Sequence, residues 1–293
     1  MESIAFGRSY TDTSFDISGC LFERNQVFNN NGGVILITNG DSMKIYNSVF
    51  YICTVSSSYT GGAIYFGSNQ SSIRMVCANR CSAGWCHFAR IQTSKSSIVQ
   101  YLSYSQCSTT TTGERPLEFS NGDQVFNHNN GSMNRVTYHS AMGIYNPTTM
   151  DVSFCSFSNN IAAQWVCLRF FGSTGNITRL NVVHNNSPNH EGVVFVTGFF
   201  VFDDCVFFNN RNTLFFVEGN TITVKNCHIY HIDKVYSGSA NMISNVMSLT
   251  ASHILEHYQT HQCNANNPIN LYPTAFKRLD PFFIIAIFSF ILE

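Results

Sequence analysis

Phe15-Asp-Ile17-Ser-Gly-Cys20-Leu-Phe22-Glu-Arg-Asn25 places two apolar residues one apart, then Cys, Phe and Asn at steps of three, two and three. The same order returns, position for position, in Met150-Asp-Val152-Ser-Phe-Cys155-Ser-Phe157-Ser-Asn-Asn160 and in Phe200-Val-Phe202-Asp-Asp-Cys205-Val-Phe207-Phe-Asn-Asn210. Two close relatives are Met43-Lys-Ile45-Tyr-Asn-Ser48-Val-Phe50-Tyr-Ile-Cys53 and Ile222-Thr-Val224-Lys-Asn-Cys227-His-Ile229-Tyr-His-Ile232. Weaker echoes start near Ile73, Ile98 and Ile177, and Phe126-x-x-Asn129 falls off the register. A fixed internal period is the signature of an array of stacked units.

Each unit carries a second element, a short apolar run closed by Gly or Asn. Examples are Val34-Ile-Leu-Ile-Thr-Asn-Gly40, Ala63-Ile-Tyr-Phe-Gly67 and Val193-Val-Phe-Val-Thr-Gly198. The full period is about 22–30 residues, holding two or three runs rich in Val, Ile, Phe and Tyr between Asn, Gly and Ser turns. No capped helical repeat or leucine ladder is present, and a propeller blade needs about 40–45 residues. The remaining architecture is an all-β, parallel β-solenoid of about nine coils, in which equivalent residues stack at about 4.8 Å. Residues 1–250 are expected to form one such domain including an N-terminal cap, 251–281 a C-terminal cap or linker, and 282–293 a short hydrophobic tail, because raw solenoid ends need covering.

Composition agrees. Of 293 residues only 16 are Lys or Arg and 17 Asp or Glu, so the net charge is −1 and no electrostatic footprint for nucleic acid exists. Twenty-six Phe exclude a chain disordered by composition. Polarity comes from Asn, Ser and Thr, which suits stacking: like charges repeated every rung would repel, whereas amides form ladders.

The segment Met1–Arg8 lacks an apolar signal-peptide core, so no secretory signal is read. Phe282–Leu292 is apolar but shorter than the roughly 17–25 residues of a spanning helix. It reads as a terminal strand or cap, a cut-off membrane anchor, or a lipid-anchor signal with Asn264-Ala265-Asn266 as its small-residue site. Possible membrane attachment is therefore assigned to this tail. Eleven Cys occur without a Cys-x-x-Cys pair, so structural zinc is not expected. Glycosylation sequons at Asn69, Asn130, Asn176 and Asn185 arise easily in an Asn-rich chain.

Gly32-Gly33-Val34-Ile35 and Gly61-Gly62-Ala63-Ile64 match a GGxI motif, and Phe22-x-x-Asn25, Phe157-x-x-Asn160 and Phe207-x-x-Asn210 an FxxN motif. In these the chain resembles the polymorphic outer-membrane-protein-like repeats of bacterial adhesins and protist surface proteins, over roughly residues 15–250. The resemblance implies a right-handed parallel β-helix of pectate-lyase-like architecture, extracellular or cell-surface display, and adhesion.

Five constellations could carry chemistry. Cys20, Cys155, Cys205 and Cys227 share one template position and read as a thiol or disulfide ladder or, more simply, as small buried hydrophobes. Cys77, Cys81, Cys86 and His87 cluster in sequence without metal-site spacing. His253-x-x-Glu256-His257, continued by His261, matches an inverzincin pattern but has no evident third ligand, so a cap helix with solvated His is the plainer account. Asp203-Asp204 is the pair an inverting β-helix glycosidase would use, with His228 the next candidate; turn-proximal surface acids are the plainer reading. Tyr10, Tyr46, Tyr59, Tyr65 and Tyr104 are candidates for a sugar-stacking face. No catalytic, cofactor or metal site is assigned. The expected function is non-enzymatic adhesion or ligand presentation to a glycan or a host or cell-surface protein. A carbohydrate-active enzyme on the same fold is the alternative, and a gene fragment without independent function a third.

Overall fold

The computed structural model describes residues 6–7, 14–110, 112–188, 192–231 and 235–247. These contain strands and no helix, and every strand pairing is parallel to the coil above or below, making a right-handed β-helix. Three ladders run along it. The first passes from Phe6 through Ile35, Ile64 and Ala89 to Val194, Phe215 and Tyr236. The second runs from Ser14–Ser18 to Tyr236–Ile243. The third has nine rungs, Phe22, Phe50, Ala78, Tyr104, Gly131, Phe157, Val182, Phe207 and Ile229, and so spans eight full turns. The two longest strands, Ile64–Asn79 and Cys86–Ser105, bend through all three ladders without a break.

The turns shorten along the axis. Phe22 pairs with Phe50, 28 residues on; Phe157 pairs with Val182, 25 on; Phe207 pairs with Ile229, 22 on; and Val224 pairs with Met242, only 18 on. The strands stay in register, so the residues are lost from the segments that connect the ladders.

Alternation decides the core. Ile45, Ile73, Val99, Phe126, Val152, Ile177, Phe202 and Val224 form one inward column, each essentially without solvent contact. This corrects the register of the weak echoes. Ile73 and Ile177 fill the template's second apolar position, not its first, and Phe126 fills it too; Ile98 points outward while Val99 turns in. The first position in those coils is Ser71, Ser97, Gln124 and Gly175, which hides the repeat from an apolar template. The buried hydroxyls of Ser71 and Ser97 bond each other at 2.7 Å, which meets the requirement that buried polar groups find partners. Size is balanced between rungs as well. Tyr104 lies wholly in the core and donates its hydroxyl to Ala141 O at 3.0 Å, while the next rung is Gly131, where a Cβ would meet the Tyr104 ring at 2.4 Å.

The coil corners are single left-handed residues. Ten occupy the corner after the second ladder, from Gly19 (φ 66°), Asn47 and Met75 to Asn226 and Ser244 (φ 51°). A second column of eight runs from Arg24 (φ 55°) through Ile52, Arg80 and Gln106 to Asn209 (φ 49°). A non-glycine residue there costs on the order of 1 kcal/mol, so packing of the stacked rungs imposes the conformation. The GGxI motif answers a third corner. Gly32 and Gly61 are left-handed (φ 69° and 71°), and a Cβ on Gly33 or Gly62 would sit 2.1 or 2.0 Å from a carbonyl oxygen of the next coil.

Candidate ligand-binding groove

The residue after each second-column corner turns inward. In chain order these are Asn25, Cys53, Cys81, Cys107, Asn134, Asn160, Asn185 and Asn210. The last four form a continuous amide ladder. Asn160 Oδ1 accepts the Asn134 N–H at 3.1 Å, Asn185 Oδ1 the Asn160 N–H at 3.0 Å, and Asn210 Oδ1 the Asn185 N–H at 2.9 Å. The Nδ2 groups of Asn134, Asn160 and Asn185 donate to the next amide oxygen, and those of Asn160, Asn185 and Asn210 donate to a third-ladder carbonyl. In the three earlier coils Cys replaces Asn. The Cys53, Cys81 and Cys107 thiols are fully buried, and Cys53 and Cys81 reach the same type of carbonyl, Phe22 O at 3.5 Å and Phe50 O at 3.7 Å. Burial pushes the Cys53 and Cys107 thiols up from their ordinary pKa.

Outside this ladder the corner side chains stand on one wall and the next short segment on the other. That second wall pairs Thr54 with Ser82, and Arg135 with Ile161, Asn186 and Arg211 in successive coils. Two adjoining hollows of about 690 and 970 Å³ lie between the walls and share Gln106 and Thr109. From the Ile52 rung to the Asn209 rung the groove crosses six coil steps, roughly 29 Å at strand spacing. Its lining includes Arg80, Arg135, Arg211, His184 and the amides of Gln106, Asn159, Asn186 and Asn209, and among the described residues contains no Asp, Glu, Phe, Tyr or Trp. Arg80 Nε donates to Gln106 Oε1 at 3.2 Å, and Asn209 Nδ2 to His184 Nδ1 at 3.0 Å. Among the described residues no carboxylate forms an ion pair with any of the three arginines. At one end Ala83 N–H donates to His87 Nδ1 (3.1 Å), so Nε2 carries the proton to Thr112 O (2.9 Å); burial lowers this His to about 4. No sequence motif marked this groove. Its only signal was polarity at six of the eight residues that precede an Asn or Cys of the second corner, Ile52 and Met133 being the exceptions.

A second hollow, about 620 Å³, lies on the outer face of the second ladder and includes Asp151, Phe154, Asn176, Asp203 and Lys225. Asp203 accepts from Asn226 Nδ2 at 2.8 Å and pairs with Lys225 at 3.2 Å, and the amide bond first, then the lysine, holds its carboxyl below the usual range. Asp204 is a corner residue (φ 54°) paired with Arg179 at 3.1 Å. The two neighbouring acids thus face different cations rather than each other. His228 stands on the third ladder, opposite Val206 and Val246.

The cysteines of the first corner share a bond. The Cys20, Cys155, Cys205 and Cys227 thiols donate to the carbonyl two residues back at 3.1–3.4 Å, and Ser48 Oγ does the same to Tyr46 O at 2.7 Å. Cys205 N–H donates to Cys227 Sγ at 3.4 Å; both thiols are free, so no disulfide joins these coils. The sequence cluster Cys77, Cys81, Cys86 and His87 is dispersed. Cys77 is disulfide-bonded, Cys81 belongs to the thiol column, Cys86 donates to Glu118 Oε2 at 3.7 Å, and His87 is held as above. Among the described residues no three His, Cys, Asp or Glu side chains are grouped to hold a metal.

Glu118 belongs to a feature the sequence did not announce. Arg115, buried, binds Glu114 and Glu118, and Arg90 Nε binds Glu118 at 3.0 Å. Arg115 and Arg169 lie 4.9 and 5.4 Å from the Tyr145 ring, and Arg169 lies about 5 Å from Trp165, Phe171 and Phe195. Burial and both guanidiniums hold the adjoining His139 well below its usual pKa.

The tyrosines proposed for a stacking face do not come together. Tyr104 is in the core, Tyr59 packs on the small cluster of Val27, Val55 and Ala83, and Tyr65 lies beneath Arg90. Among the sequons Asn185 is buried in the amide ladder and Asn130 is buried, while Asn176 is exposed. Tyr10, the His253-Glu256-His257-His261 row and residues 251–293 lie outside the described residues. No helix among the described residues is long and apolar enough to cross a membrane.

No protein-family model matches the chain, and neither a curated protein nor a solved structure matches it significantly.

Proposed function

We propose that the chain is a non-enzymatic β-helix that presents a rigid lateral surface for adhesion, with a glycan or a host or cell-surface protein as its ligand. The observation that carries this reading is the open groove of about 690 and 970 Å³ along the second corner, walled by repeated amides and hydroxyls on a backbone fixed by stacked rungs. A preorganised surface of this kind lowers the ordering cost of binding an extended ligand. The GGxI and FxxN motifs add the likeness to polymorphic outer-membrane-protein-like repeats, from which surface display and adhesion are inferred. A carbohydrate-active enzyme is the second reading, favoured by one feature: Asp151 and Asp203 share the hollow on the second ladder. Against it, Asp203 is tied to Asn226 and Lys225, which hold it ionised, so it cannot supply the proton such a pair needs and would serve only as base or nucleophile.

The test is an array of glycans and cell-surface proteins probed with the folded chain, beside a protease-accessibility assay of an internally tagged chain in its native cell. Binding together with external exposure is expected. An intracellular location with no ligand on the array would overturn the proposal. Turnover of a polysaccharide, lost in Asp203→Asn, would replace it with the enzyme.

A further inference from the structure

We infer that the second-corner groove binds an acidic polysaccharide, one carrying carboxylate or sulfate groups, laid along the β-helix axis. This rests on the binding reading above and names its ligand class. The chain as a whole has a net charge of −1, yet this groove has arginines and no acid in its lining. Its field is therefore positive although the rest of the chain is net negative, and a concave site of one sign concentrates ligands of the other.

The arginines are free to act. Arg80, Arg135 and Arg211 are exposed, and among the described residues none has a carboxylate partner. Arg135 and Arg211 stand on the same wall, joined through the pairings of Ile161 and Asn186. Three coil steps separate them, roughly 14 Å by strand spacing. A ligand that meets both must be extended and must carry charge at more than one point. Guanidinium forks suit carboxylate and sulfate because they bind two oxygens at once.

Between the cations the groove offers Asn159, Asn186 and Asn209, which donate and accept and so match sugar hydroxyls. The described lining holds no Phe, Tyr or Trp, and its two imidazoles, buried His87 and exposed His184, do not make the run of stacking platforms on which single-stranded nucleic acid depends. A neutral sugar would gain neither charge pairing nor ring stacking. The acidic polysaccharide is the ligand whose chemistry uses everything the walls present.

The experiment measures binding of the full chain to four polymers of similar length at low and physiological salt: a polyuronate, a highly sulfated polysaccharide, neutral dextran and a single-stranded oligonucleotide. The variants are Arg135→Gln, Arg211→Gln, the double variant, and Lys44→Gln, an exposed cation outside both hollows, as control. Thermal melts confirm that each is folded. We expect at least one acidic polysaccharide to bind in a salt-dependent way. Each arginine change should weaken it by up to about fivefold, with the double variant compounding the two and Lys44→Gln without effect. Dextran binding as tight as the acidic polymers would overturn the inference while leaving the adhesive reading intact. So would equal or tighter binding of the oligonucleotide, or acidic-glycan binding untouched in the double variant. Failure of every polymer overturns the inference, and the protein arm of the array then decides the broader reading separately.

Discussion

Asn185 Oδ1 accepts two hydrogen bonds from Asn160, from its backbone N–H and from its Nδ2, both at 3.0 Å. One amide oxygen of one coil thus satisfies two donors of the coil below, and Asn160 Oδ1 does the same for Asn134. Asn160→Ala keeps the backbone N–H bond but removes the four side-chain bonds of Asn160, to Asn185 Oδ1 and Gly131 O and from Asn134 N–H and Nδ2, in a site without solvent access, and should lower stability by about 3 kcal/mol, from several bonds worth about 1 kcal/mol each. Asn160→Asp should cost more, since a buried carboxylate would face Gly131 O and Asn185 Oδ1. Asn160→Cys should be the mildest of the three, because Cys53, Cys81 and Cys107 already fill this position. Urea unfolding checks the order; an alanine variant more stable than the cysteine variant would refute it.

Gly62→Ala places a Cβ 2.0 Å from His87 O and 2.7 Å from Ser82 O, backbone atoms of the next coil, so the coils must part. A loss of about 3 kcal/mol or more is expected, in the range of overpacking. Gly219→Ala meets nothing within 4 Å and has only its left-handed φ of +80° against it, for about 1 kcal/mol. Paired thermal melts with equal losses would show that close approach is not what the motif serves.

His87 gives a pH dependence. Its pKa of about 4 against an ordinary 6.5 means the folded protein holds it neutral while the unfolded chain takes up a proton. Stability is therefore full above about pH 6.5 and declines as pH falls toward 4, by roughly 3 kcal/mol at most for this group. His139, depressed in the same direction, adds to the slope. Denaturation at about pH 7 and pH 4.5 measures it. His87→Gln should flatten the slope, whatever it does to absolute stability, and an unchanged slope would remove His87 from the account.

The thiols separate by access. Cys155 and Cys167 are buried and pushed up to about 12, and Cys53, Cys107 and Cys205 are raised by burial as well. Only the half-buried Cys20, among the free cysteines described, has an exposed face. A brief native alkylation followed by peptide mass spectrometry should label Cys20 well ahead of the others, since thiolate and access together set reactivity. Comparable labelling of Cys155 would contradict the burial.

The fold was legible where the repeat is apolar. Phe15, Met150 and Phe200 announce their coils, and the period between them leaves a parallel solenoid as the one arrangement that stacks Phe, Cys and Asn in register. Legibility failed where Ser71, Ser97, Gln124 and Gly175 take the first inward position: hydroxyls that satisfy each other between coils, as Ser71 and Ser97 do, look like surface in one dimension, and Gly175 has no side chain to mark the position. The groove was illegible for a related reason. Arg135 and Arg211 lie far apart along the chain and share a wall only through three successive pairings, by way of Ile161 and Asn186. Glu118 with Arg115, Arg90 and Tyr145 likewise assembles from three coils.

The shortening of the turns gives the stack a direction. The step falls from 28 residues to 18 while the strands stay in register, so the length is lost from the segments between ladders and not from the ladders themselves. Insertions and deletions should therefore be absorbed between ladders at either end, whereas one residue added within a strand would turn its inward column outward.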